Sequence, residues 1–248
     1  MSGNNIGRHH RNFGSRQIYL PKKYNSLYNA DYENNLYDSN RFKFKNSLII
    51  TPHYEAEFES TGGIKYIRNH EGCIFFTGAN LFAQTNGVQK LPVMLKRGIN
   101  KLSSQKKLIV EEKYNYEEKY EIHQNIILYY EENRIDFQVL FVKNLNLQTK
   151  DITSEFAVNF YLPEMYGCTL EYKKFSETDE YKDAFEKLEN AEYICLNCRE
   201  CCAMTIYPER KQLIRHKNKS LDFAVDNPPD SEKNYINLKI YLEKYKVI

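Results

Sequence analysis

The 248-residue sequence contains no tryptophan, and no apolar stretch approaches the roughly 20 residues that a helix needs to span a bilayer. Its first residues, MSGNNIGRHHRNFG, carry charge but lack the apolar h-region of a secretory signal. The expectation is an intracellular chain without a membrane segment. A surplus of one charge is also missing. The 35 basic and 33 acidic residues leave a formal net charge of +2, which implies no overall preference for nucleic acid or anionic lipid. No G-x-G-x-x-G or G-x-x-x-x-G-K phosphate loop is present, and no G-x-S-x-G elbow. These absences argue against nucleotide-dependent enzymes and hydrolases of the common kinds. They leave room for an enzyme whose site is assembled from scattered strand residues.

What is present points to strands. Hydrophobic residues make up 42%, enough for a sizeable core, and the aromatic 14% consists of Tyr and Phe, which suit a pleated, half-buried surface. The clearest pattern lies between Tyr120 and Pro163. Ile122, Ile126, Leu128 and Tyr130 share one parity. So do Ile135, Phe137, Val139 and Phe141, against Asp136 and Gln138. Phe156, Val158, Phe160 and Leu162 alternate with Ala157, Asn159 and Tyr161. Successive strand side chains point to opposite faces, so this rhythm predicts antiparallel strands with one face in a core. The length fits one large β domain, or one domain plus a tail.

Residues 1–46 differ from the rest. They are rich in Asn, Tyr, Arg and Lys, and Tyr24, Tyr28, Tyr32 and Tyr37 recur every four or five residues. The plain reading is an extended N-terminal arm pinned to the body by its tyrosines. The sharper readings are a partner-binding tail or a nucleic-acid arm, the latter resting on Arg8, His9, His10, Arg11 and Arg16. Nucleic acid is the weaker of these, because a strand-binding platform needs a groove as well as rings.

The β-sandwich domain is expected over 47–248. Pro52 should interrupt its first strand, Gly62-Gly63 should turn, and Asn69 to Gly72 should close a hairpin. Residues 101–120 alternate only loosely. One short helix is predicted in SETDEYKDAFEKLENA. Ser176 and Asp179 approximate a capping box, and Tyr181, Phe185 and Leu188 form a stripe at spacings of four and three. AEYICLNCRECCAMTIYP reads as two strands around a turn, and Ile236, Leu238, Ile240 and Leu242 mark a final strand.

Two groups of residues could carry chemistry. Cys195, Cys198, Cys201 and Cys202 form a C-x-x-C-x-x-C-C cluster whose thiolates suit zinc or an iron–sulfur centre. The flanking Ile194, Leu196, Met204 and Ile206 favour buried structural cysteines in a hairpin instead. A redox pair is the third reading. A structural zinc site usually has a second ligand pair elsewhere, so no cofactor is expected. The six histidines show no metal-binding spacing. His53 follows Pro52 near Glu55 and Glu57. His123 sits opposite the apolar face of its strand. An imidazole beside a carboxylate can transfer protons near neutral pH.

The order of elements resembles the β-supersandwich of galactose mutarotase-like proteins and of the β domains of some glycosidases and polysaccharide lyases. The residues that carry the resemblance are STGGIKYIRNHEG, IILYYEENRIDFQVLFVKN, TSEFAVNFYLPE, AEYICLNCRECCAMTIYPE and LDFAVDNP, over roughly 47–245. It implies a concave sheet face that binds sugar, with a His and a Glu doing acid–base chemistry. His53 and His123 are the histidines on expected strands. The reading is therefore an all-β, antiparallel β-sandwich that interacts with a sugar or glycan. It would be epimerase- or lyase-like by proton transfer, with a Tyr-rich face for stacking. The alternative is a non-enzymatic structural protein that uses its arm to clasp a neighbouring subunit in a homo-oligomer, or another protein partner. A third reading builds a metal- or nucleic-acid-binding protein on the cysteine cluster.

Overall fold

A computed structural model describes residues 43–45, 47–85, 88–102, 106–118, 120–143, 154–162, 168–174, 180–182, 186–198, 202–210, 212–217, 219–226 and 234–244. These residues form two antiparallel sheets. The first sheet runs β1 (Lys43–Lys45), β2 (Leu48–Ile50), β3 (Tyr54–Phe58), β4 (Ile64–Asn69), β6 (Gly78–Thr85), β12 (Ser154–Tyr161), β19 (Ser220–Asp226), β18 (Leu213–Lys217), β15 (Lys187–Glu189). β5 (Ile74–Phe76) pairs with β4, and β7 (Val88–Lys90) pairs with β6. The second sheet runs β14 (Glu180–Lys182), β13 (Cys168–Lys174), β16 (Ala191–Cys198), β17 (Cys202–Pro208), β20 (Asn234–Lys244), β11 (Arg134–Lys143), β10 (Tyr120–Tyr129), β9 (Lys107–Tyr116), β8 (Val93–Leu102).

The two-residue rhythm of the central third becomes the interface between the sheets. Ile122, Ile126, Leu128, Ile135, Phe137, Val139 and Phe141 of the second sheet are buried, as are Phe156, Val158 and Phe160 of the first. Phe160 packs edge-on against Phe76, Phe137 and Phe223, with centroids 5.4, 5.4 and 5.8 Å away. Phe156 stacks on Phe141 at 4.8 Å and meets Tyr116 and Tyr120 edge-on. The pairs of Phe160 with Phe137 and of Phe156 with Phe141, Tyr116 and Tyr120 cross between the sheets and lock them face to face, while Phe76 and Phe223 flank Phe160 within the first sheet.

The expected turns form. Pro52 lies in the bend between β2 and β3, Gly62 and Gly63 turn with φ of 110° and 76°, and Gly72 closes the β4–β5 hairpin with φ of 92°. Within the loosely alternating stretch before Tyr120, Lys107–Tyr116 forms a full strand, β9. In β9, Leu108, Val110, Glu112, Tyr114 and Tyr116 all point inward. Glu112 hides the rhythm because a carboxylate occupies a core position. Its Oε1 accepts from Arg97 Nε at 2.6 Å, and its Oε2 accepts from the Gly63 backbone N–H at 3.0 Å and Gln124 Nε2 at 2.9 Å. The Tyr114 hydroxyl also donates to Oε2. This group joins β8, β9 and β10 to the turn between β3 and β4 of the other sheet.

The predicted helix over 176–191 does not form where its residues are described. Glu180–Lys182 is β14, paired with Glu171–Lys173, and Lys187–Glu189 is β15, paired with Leu213–Arg215. Leu188 is buried, and Asn190 turns with φ of 63° into β16. Helical spacing lost to the sheet edges. β13 and β18 each present a row of backbone groups on their open side, and this segment pairs with both. The N-terminal arm lies outside the described residues, apart from Lys43–Lys45 in β1. Among the described residues no helix is long and apolar enough to cross a membrane.

Candidate functional site

Once the apolar parity of β8–β11 and β20 is buried, the opposite parity must line the outer face of the second sheet. Two cross-strand rows result. One runs Lys96, Lys113, His123, Leu140, Tyr235, and the next runs Gly98, Glu111, Asn125, Gln138, Asn237. Directly opposed residues on neighbouring strands lie close enough for side chains to act together. The rows line a groove of about 700 Å³.

His123 lies beside a carboxylate in this groove. Its Nε2 is 2.6 Å from Glu121 Oε1, and Lys113 Nζ is 2.6 Å from Glu121 Oε2. A carboxylate only accepts, so Nε2 carries the proton in this pair, and Nδ1 is the basic nitrogen of the neutral ring. The hydrogen bond from Lys113 holds the Glu121 carboxyl below its usual range against a smaller opposing effect of burial, and His123 adds to the lowering. Asn125, Gln138 and Asn237 bring three side-chain amides, each with two donors and an acceptor. Tyr235 has Arg210 stacked over its ring at 3.5 Å.

Further along the same face the tyrosines are engaged with one another. Tyr193, Tyr207 and Tyr241 form a line with centroids 6.0 and 5.7 Å apart. Arg134 continues it, 5.7 Å above the Tyr241 ring and 4.5 Å above Tyr129, and Lys107 covers Tyr129 at 5.1 Å. Asp136 accepts from Arg134 Nε and Nη2 at 2.7 and 2.6 Å and from the Tyr129 hydroxyl at 2.8 Å. Those hydrogen bonds push the Arg134 pKa up. Ring contacts and cations occupy much of this aromatic surface, so the expected stacking platform is largely consumed within the sheet.

The other predicted site residues do not join the groove. His53 sits in the bend before β3 on the first sheet, half-buried, with its backbone N–H donating to Thr51 Oγ1 at 3.2 Å. Cys195 is half-buried, accepts from the Thr205 hydroxyl at 3.5 Å and donates to Asn197 Oδ1 at 3.5 Å. Burial pushes its thiol pKa up, which disfavours the thiolate that a metal would bind. Cys198 ends β16 and Cys202 begins β17, directly opposite each other, while Cys201 lies outside the described residues. Among the described residues no group of three or more His, Cys, Asp or Glu side chains could hold a metal ion. Sequence reasoning found His123 but missed Lys113, Glu121, Asn125, Gln138 and Asn237. Outward parity alone could have flagged them. Their alignment needed the register.

No family model and no curated protein matches the sequence. Solved structures do match in fold. The GH36 α-galactosidase AgaB from Geobacillus stearothermophilus aligns with a TM-score of 0.54 at 8% identity, covering 82% of this chain and 41% of that one. The galactosidase domain of α-galactosidase-sucrose kinase AgaSK gives 0.51 at 7%, covering 82% and 42%. The chain thus spans about two fifths of the length of these galactosidases. YeaD from Salmonella typhimurium, a proposed mutarotase, aligns at a TM-score of 0.48 and 5% identity, covering 82% of this chain and 93% of that one. The antiparallel two-sheet fold is shared with the two galactosidase structures. Such low identities speak for the fold alone.

Proposed function

We propose that the groove on the outer face of the second sheet binds a carbohydrate, and that His123 transfers a proton to or from a sugar hydroxyl held there. The observation that carries this reading is the alignment of the His123–Glu121 pair beside Asn125, Gln138 and Asn237 on adjacent strands. Side-chain amides match vicinal hydroxyls, which both donate and accept. Nδ1 of the neutral ring takes the hydroxyl proton, and ionised Glu121 holds the resulting imidazolium. Lys113 keeps Glu121 charged and in place. The similarity in fold to α-galactosidases supports the ligand class without naming the sugar.

The test is a thermal-shift titration with millimolar mono- and oligosaccharides, on the parent chain and on Asn125→Ala/Gln138→Ala. A ligand that binds only the folded state raises the melting temperature by mass action. The expected result is a concentration-dependent rise in the parent and none in the double variant. Anomer exchange followed by NMR then separates catalysis from binding. His123→Ala should retain the thermal shift and lose the exchange. A flat response to every sugar sinks the binding reading, and exchange unchanged in His123→Ala sinks the proton-transfer role.

A further inference from the structure

The ladder of the first sheet breaks beside β6. β4 pairs with β6 at Ile64 and Ala79, and β7 pairs with it from Ala83 to Thr85. No strand among the described residues pairs with Asn80, Leu81 or Phe82 on that side. The break opens as a cleft of about 260 Å³, away from the groove on the second sheet. Buried Tyr114, its hydroxyl committed to Glu112, closes the inner end. Leu81 and Ala83 of β6 and Val158 and Phe160 of β12 are buried, so Asn80, Phe82, Asn159 and Tyr161 face outward. Asn80 and Asn159 are register partners. Tyr161, opposite Gly78, flanks this amide pair on one side, and Phe82, opposite Ala157, flanks it on the other. The Tyr161 ring lies across the glycine, since a Cβ at Gly78 would stand 3.0 Å from Tyr161 Cδ2 and 3.6 Å from Asn80 Nδ2. The Thr77 backbone N–H and hydroxyl fix the Tyr161 carbonyl at 2.7 and 3.2 Å, yet the residue is 48% exposed. Asn159 Nδ2 donates to Asp222 Oδ1, and Asn159 Oδ1 has no partner among the described residues. Gln89 brings a third amide from β7.

We propose that this cleft binds the base of a nucleoside. A nucleobase is flat, with apolar faces and with donors and acceptors confined to its edge. One face stacks on Tyr161, and the edge meets the amides of Asn80, Asn159 and Gln89, each of which carries donors and an acceptor. A pyranose fits less well. Its hydroxyls surround the ring, and several would be buried against Leu81, Phe82 and Leu91, which cannot hydrogen-bond them through their side chains. The charged side chain among the described lining residues is the acid Glu59. It repels a phosphate, so the cleft takes a nucleoside in preference to its nucleotide.

The test is equilibrium dialysis of the full chain against radiolabelled adenosine, guanosine, cytidine and uridine. At least one should bind saturably, and its 5′-monophosphate should bind more weakly. Loss of the stacking ring in Tyr161→Ala should weaken binding by at least about fivefold, while Tyr161→Phe should keep it. Asn80→Ala should also weaken it, and decides the matter if Tyr161→Ala fails to fold. Asn125→Ala/Gln138→Ala, altered in the groove of the second sheet, should bind the nucleoside as the parent does, so the two sites stand or fall separately. No saturable binding of any of the four to the parent would overturn the proposal. So would full affinity in Tyr161→Ala or Asn80→Ala, loss in Asn125→Ala/Gln138→Ala, a monophosphate that binds as tightly as its nucleoside, or displacement of the nucleoside by millimolar galactose.

Discussion

Glu112→Ala tests the claim that a buried ion pair joins the two sheets. Arg97 is 3% exposed and Glu112 is 3% exposed. The carboxylate is shared by Arg97, the Gly63 backbone, Gln124 and Tyr114. Deleting it leaves the guanidinium charged where water does not reach, close to the Phe58 ring at 5.4 Å. Removing one partner of such a pair costs about 3–5 kcal/mol. Three further donors lose their acceptor, which places this variant near the upper end of that range. A domain holds about 5–15 kcal/mol in total, so Glu112→Ala should stand close to the limit of folding. Urea unfolding followed by far-UV circular dichroism reads the loss as a lower midpoint at unchanged slope. The double variant Arg97→Met/Glu112→Leu removes both charges at similar volume and should be more stable than Glu112→Ala alone. A Glu112→Ala chain within about 1 kcal/mol of the parent, or a double variant weaker than the single, would refute the pairing as the source of the effect.

Two further expectations use contrasts within the molecule. Gly63 and Gly72 both have positive φ. A Cβ at Gly63 would lie 2.4 Å from the Ala79 carbonyl oxygen, while one at Gly72 meets nothing within 4 Å. Gly63→Ala should therefore cost at least about 1 kcal/mol more than Gly72→Ala in the same unfolding assay, and equal costs would contradict the close approach. The lowered pKa of Glu121 sets a pH dependence. Its contribution is present above the reference value of 4.5 and fades as pH falls through the lower folded value. The stability gap between the parent and Glu121→Gln should thus shrink below about pH 4.5. At 43% exposure water screens the pair, so the gap is small throughout. A gap that widens in acid would reverse the assignment.

Much of this was legible in the residues. Phe137, Val139, Phe156 and Val158 announced their burial because nothing polar interrupts their parity. β9 was harder to read, since Glu112 sits at an inward position that only Arg97 and Gly63, distant in sequence, can satisfy. Tyr181, Phe185 and Leu188 suggested a helix because a spacing of four and three is helical whenever no neighbour competes. Two sheet edges did compete. His123 was visible as an outward histidine, and Glu121, two residues before it on the same strand, shares its face by parity, but Lys113 belongs to β9, and that pairing no local pattern encodes.

The alternation of apolar and polar side chains, by itself, determined that this chain is a sandwich of antiparallel strands and which side of each central strand faces the core. That follows from the pleat, a property of one strand at a time. Only the tertiary structure decided which outward residues meet. Strand register set His123 beside Lys113 and Leu140. Register is a relation between distant segments, settled when their buried faces interlock, and a one-residue slip in it would regroup every candidate site.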